Sequence, residues 1–239
     1  MAVGTSNQAA LDTPPGNRQP AKRLDIRHRS DQSSLDSPSG VNRIYFYAMT
    51  KDDIITLPHP SLRRKSQRVG MITDEVRQLV ADMESATIDW EASRDHEVGV
   101  ALAAVQIDRL YKVVVVRNNY DDKDDHTFTT FINPEITKYE GNVVEDYEGC
   151  LSIKDVYGKV PRHEKVRVKA IDLDGKAFRV TAEGFLARIL QHEIDHTNGI
   201  VFVDHIRDDS EAFYRLLTDG KLEQQNYSKD IEHNPNLWG

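Results

Sequence analysis

The sequence predicts an α+β domain. Three observations carry that expectation: β-branched and alternating runs fill the middle of the chain, helical periodicity appears towards both ends, and no regular strand–helix alternation of the doubly wound kind links them. With 239 residues the chain can form one domain of ordinary size or two small ones without disulfides.

Each element follows from local chemistry. Residues 1–40 hold four of the nine prolines and six serines, and all 18 aromatic residues lie beyond them. Such a stretch cannot bury enough apolar surface to offset its ordering entropy, so residues 1–48 are read as a disordered leader, a tag or an extended N-terminus. It lacks the apolar stretch of a secretory signal, and its four aspartates fit an organelle transit peptide poorly. From Met49 the punctuation is that of a compact domain. Thr73 is placed to cap a helix in which Val76, Leu79, Val80 and Met83 recur at helical spacing, with Asp74 and Glu75 near its positive end. Val113 to Val116 is a β-branched strand, and Phe128 to Ile132 another, ended by Asn133-Pro134. Lys165 to Leu173 and Lys176 to Thr181 flank Asp174-Gly175, the two-residue signal of a type I′ hairpin. Beyond Glu183 the period becomes helical. Phe213, Leu216 and Leu217 then suggest a short amphipathic helix, so residues 207–239 are read as a C-terminal helix and tail following the domain of residues 49–206.

Composition removes several function classes. No apolar run approaches the roughly 20 residues that cross a bilayer. A net charge of -8, from 31 basic and 39 acidic residues, disfavours a general nucleic-acid binder, which needs a basic face to displace counterions. The single cysteine cannot form an intramolecular disulfide and points to a reducing compartment, with Cys150 buried, reactive or ligating.

The chemistry concentrates at Gln191-His192-Glu193-Ile194-Asp195-His196. On a helix the two histidines of this HExxH run stand one turn apart on one side and can bind one metal together, with Glu193 beside them. Phe185, Ile189, His192 and His196 share a stripe, so the imidazoles emerge from the buried face. A catalytic metal usually takes three protein ligands and leaves one position open. Glu211, His205 and Cys150 are the candidates for the third. A lone cysteine is more often a small buried hydrophobe, but its setting in Glu148-Gly149-Cys150-Leu151-Ser152 reverses that preference.

That segment, the run at 191–196, and Gly99-Val100-Ala101-Leu102-Ala103-Ala104-Val105-Gln106 resemble, in order and approximate spacing, the three signature motifs of peptide deformylases. The likeness extends from Leu57-Pro58-His59-Pro60 through Val160-Pro161-Arg162 to Gly199-Ile200-Val201-Phe202-Val203-Asp204, covering roughly residues 49–206. The resemblance implies small, mostly antiparallel β-sheets around a central metal-binding helix. It implies Cys150, His192 and His196 as ligands of one divalent metal, ferrous iron in the cell and zinc or nickel after purification. It further implies removal of the formyl group from formyl-methionine peptides by attack of metal-bound water, with Glu193 as acid/base and Gln106 and the Leu151 N–H as oxyanion donors. Gly99, Val100, Ala101 and Gly149 are the peptide-binding candidates within the motifs, with Phe185 and Ile189 as further pocket walls. Asp195 is expected to pair with Arg162 and brace the ligands.

One position departs from the family: Ala101 stands where the first motif usually has a second glycine, and its methyl is expected to crowd an approaching peptide. Residues 208–239 carry seven acidic and three basic side chains, which disfavours ribosome contact through a basic C-terminal helix. The expected partners are N-formylmethionyl nascent peptides, met by a cytoplasmic monomer, or one in an organelle if the leader is cleaved. The rival readings are a zincin-like peptidase, which leaves the cysteine motif and Gln106 unexplained, and a metal-holding binding module, against which Glu193 weighs.

Overall fold

The computed structural model describes residues 1–4 and 48–238; of the leader expected over residues 1–48, residues 5–47 lie outside the described residues, whereas Ala2–Gly4 form a strand and Met1 is buried. The principal strands and helices are β1 (Ala2–Gly4), α1 (Asp74–Ala92), β2 (Glu97–Gly99), β3 (Ala101–Ala103), β4 (Val113–Arg117), β5 (Phe128–Cys150), β6 (Ile153–Ile171), β7 (Ala177–Glu183), α2 (Gly184–Thr197), β8 (Phe213–Leu216), β9 (Leu222–Gln224) and α3 (Pro235–Trp238). All the strand-to-strand pairings are antiparallel, in a branched network built on the long β5–β6 hairpin. This is the α+β architecture expected from the sequence. No helix of the described residues is long and apolar enough to cross a membrane.

The run of four valines in β4 explains the layering. Val114 and Val116 pack with Ala187, Ile189, Leu190 and Ile194 of α2. Val113 and Val115 pack with Leu79, Val80, Met83 and Trp90 of α1. Alternate side chains thus point to opposite faces, and a strand buried on both reads as an uninterrupted apolar run. A third cluster joins Cys150, Val156 and Val160 to Val201, Phe202, Ile206 and Phe213, seating the C-terminal segment against the hairpin.

Four local expectations change. Thr73 is the N-cap of α1 by position, but its hydroxyl makes no capping hydrogen bond; its carbonyl accepts from Val76 and Arg77 instead. Asn133-Pro134 bends the strand without ending it: Asn133 takes a φ of 52°, the register shifts between Ile132 and Glu135, and β5 continues. Asn133 can hold that left-handed turn because its amide accepts from Val69 N (2.8 Å) and donates to Val69 O (2.9 Å). Replacing it with alanine is expected to leave those buried groups unpaired and to lower stability by about 2 kcal/mol in urea unfolding.

The Asp174-Gly175 hairpin forms, but Gly175 alone of the pair has positive φ, at 79°, so the turn is not type I′. Asp172 Oδ1 accepts from Asp174 N (2.9 Å) and Lys176 N (2.8 Å), closing a longer loop. The helix expected around Phe213, Leu216 and Leu217 is strand β8, paired with Tyr157 and Gly158 of β6 and with β9. Asp219-Gly220, the same hairpin signal as at 174–175, overrides the apolar spacing there.

Candidate metal centre

Two elements bring the ligand candidates together. Cys150 ends β5, and Leu151-Ser152 form the tight turn into β6, where Ile153 pairs back on Cys150. Gly149 permits this close course, because a Cβ there would lie 2.6 Å from the Tyr157 ring. The histidines come from α2, which stops just beyond them in a Schellman cap. Ile200 N donates to Asp195 O and Gly199 N to His196 O (both 3.1 Å), with Gly199 at φ 76°. A Cβ on Gly199 would meet the Arg63 carbonyl at 2.7 Å, so the residue is held to glycine twice over.

The donor atoms of Cys150, His192 and His196 all lie within 4.8 Å of one another, and all three residues are buried. Cys150 Sγ stands 3.2 Å from His196 Nε2. Glu211 and His205 do not join them: Glu211 is exposed, and His205 Nε2 lies 2.7 Å from Asp195 Oδ2. Among the described residues His192 Nε2, His196 Nδ1 and Glu193 Oε2 are buried without a hydrogen-bond partner. An imidazole nitrogen beside a thiol sulfur, buried and unsatisfied, is what a divalent ion would engage, and the donor set fits iron, zinc, nickel or cobalt.

Electrostatics also favour a cation here. Burial alone would depress the His192 imidazole, but the Cys150 sulfur and the Glu148 carboxylate outweigh it and raise its pKa to about 9. The groups that attract a proton there would equally attract a metal ion. For His196, burial, the His192 charge and the amino-terminal charge push the pKa well below the usual value, keeping the ring neutral.

Sequence reasoning missed the hub of the site. Glu148 is fully buried; its Oε2 lies 2.8 Å from His192 Nδ1, and it accepts from Arg162 Nε (2.9 Å) and Arg188 Nη1 (2.8 Å). Burial works against its charge, but Arg162 and His192 hold the carboxyl well below the usual range. An ionised carboxylate only accepts, so it fixes the His192 proton on Nδ1 and turns Nε2 to the cluster. Two spacings pointed to it: Glu148 is two residues before Cys150 on one strand face, and Arg188 one helical turn before His192. The expected Asp195–Arg162 pair is present, with Arg162 Nη1 donating to Asp195 Oδ2 at 2.5 Å. It therefore reaches His192 through Arg162 and Glu148. Asp195→Asn is expected to weaken metal affinity about tenfold, measured by competition with a chelator.

Gln106 is wholly buried: its Oε1 accepts from Ala103 N (2.8 Å), and its Nε2 lies 3.1 Å from Ser152 Oγ and 3.6 Å from Cys150 Sγ. Its amide is thus both a loop tie and a donor facing the ligands. Gly99, Val100 and Ala101 lie alongside, buried, while Ile189 is buried and Phe185 half-buried in one apolar cluster with Met1. The Met1 amino group donates to Ala101 O (2.7 Å) and Glu193 Oε1 (2.8 Å), and its carbonyl accepts from Val100 N (3.0 Å).

A buried thiol, two imidazoles and a carboxylate on an HExxH helix define a metal-dependent hydrolase. The model of the family described as polypeptide deformylase matches residues 51–212. The peptide deformylase of Thermomicrobium roseum is 46% identical over 164 residues, 67% of this chain and 89% of that protein. Among solved structures, a peptide deformylase from Synechococcus elongatus in complex with actinonin superimposes with a TM-score of 0.60 at 33% identity, covering 69% of this chain and 89% of that one. A class I type b peptide deformylase from Acinetobacter baumannii, solved with Met-ala-ser bound, gives a TM-score of 0.56 at 32% identity, covering 64% and 96%. This chain belongs to the polypeptide deformylase family.

Proposed function

We propose that the chain hydrolyses the formyl group from N-formylmethionyl peptides, with Cys150, His192 and His196 holding the metal and Glu193 moving the proton. The observation that carries this is the convergence of the three donor residues within 4.8 Å, two of them on the helix that also carries the buried Glu193 and the third at the end of β5. A bound divalent ion would lower the pKa of a water at the site toward neutrality, making hydroxide available. Glu193 takes a proton from the attacking water and hands it to the leaving amine, giving formate and a free amino terminus. The Gln106 amide and the Leu151 N–H would stabilise the oxygen that gains charge. Val100, Phe185 and Ile189 wall an apolar pocket that takes the unbranched methionine side chain; the burial of Met1 in that cluster supports this assignment. The narrow approach along Gly99, Ala101 and Gly149 selects formyl over bulkier acyl groups by clash.

The metal in the cell is ferrous iron, with zinc or nickel as replacements, and the setting is the cytoplasm, where formylated nascent chains emerge. Any ribosome contact does not use a basic C-terminal helix, since the segment after residue 207 has an acidic excess. The protein is expected to act as a monomer; light scattering would show one chain's mass at every concentration, and a concentration-independent dimer would contradict it. The activity itself is tested by anaerobic purification with ferrous iron and measurement of formate from formyl-Met-Ala-Ser. Formate release with an acetylated control peptide untouched supports the reading, and one bound metal per chain without formate overturns it.

A further inference from the structure

In this structure the Met1 amino group lies against Glu193, beside the candidate metal centre. Met1 is fully buried, and its ammonium meets Glu193 Oε1 at 2.8 Å with neither group exposed to solvent. A buried ammonium persists only if paired. Here the pair is completed by the Ala101 carbonyl at 2.7 Å. The backbone behind it forms a strand between β2 and β5: Ala2, Val3 and Gly4 stand opposite Gly99, Val98 and Glu97, and Ala2 also faces Gly149 on the other side. Main-chain pairing on both flanks with one side chain in an apolar cluster is how an extended peptide is held by strand addition.

From this arrangement we infer that, in a chain whose first residue is Met1, the segment Met1–Gly4 is a tethered product-like ligand that competes with incoming peptides for the catalytic groove. The inference rests on the deformylase reading for the name of the competitor, a peptide beginning with methionine. While the ammonium occupies Glu193, that carboxylate is unavailable to a second substrate. Because the segment belongs to the same chain, the competition is intramolecular and does not depend on protein concentration.

The test uses two full-length proteins, each released from a cleavable leader so that one begins at Met1 and the other at Ala2, checked by intact mass and loaded with ferrous iron. Calorimetry with the peptide Met-Ala-Val-Gly is expected to give at least tenfold tighter binding to the chain beginning at Ala2. For formyl-Met-Ala-Ser, KM is expected to fall by the same factor in that chain while kcat stays within twofold. Equal peptide affinity in the two chains, or no peptide binding by either, would overturn the inference. Differential peptide binding without formate release would keep it and reject the deformylase reading; formate release with equal affinities would do the reverse.

Discussion

Glu193→Ala is expected to lower formate release by at least 10²–10⁴-fold while leaving one metal bound per chain. The carboxylate is not one of the three donor residues, so its loss removes proton transfer and not the ligand set. Glu193→Gln sharpens the experiment, because it keeps the shape and the hydrogen bonding and removes only the ability to carry a proton. Both variants are expected to lose kcat with little change in KM for the formyl peptide. A variant that keeps its metal and retains most of the wild-type kcat would show that another group moves the proton.

The second large effect is structural. Glu148→Gln is expected to destabilise the fold by about 3 kcal/mol, since Arg162 and Arg188 would lose the buried carboxylate that faces both of them. Metal affinity is expected to drop about 10- to 100-fold in the same variant, because His192 loses the acceptor that orients it. The acid limb of stability carries the same signature. Glu148 is held ionised in the folded chain, so its contribution is complete above the unfolded value of about 4.3 and is lost as pH falls through the lower folded value. In the glutamine variant unfolding free energy is expected to fall less steeply below pH 4 than in the wild type, as read by urea titration at several pH values.

The histidine pair and the carboxylate beside it were legible because their spacing is short and local. His192 and His196 need only one helical turn to meet, and Glu193 travels with them. Cys150 was reached through the resemblance of its neighbours, since nothing in a lone cysteine says what lies across the fold. The strands of the middle were legible from β-branched runs such as Val113–Val116, whose double burial leaves no polar face. The hub at Glu148 was not read because its partners lie 14 and 40 residues away, at Arg162 and Arg188, a separation that periodicity does not measure. At residues 213–217 the apolar spacing suited a helix, but the hairpin to β9 and the pairing with Tyr157 and Gly158 make Phe213–Leu216 a strand. Asn133-Pro134 misled for a related reason: a breaker dipeptide ends a strand only if no distant backbone, here Val69, stabilises the bend.

The placement of Cys150 at the end of β5 and of the histidines on α2 means that the donors straddle 46 residues of chain, including all of β6 and β7. An ion held by both elements is a reversible crosslink between strand and helix. Its free energy of binding to the assembled site adds to the stability of the folded chain, because the unfolded chain presents no such site. Loading the enzyme and fastening the β5–β6 hairpin onto α2 are therefore one event, and the centre that performs the chemistry is also the clasp that keeps its two halves together.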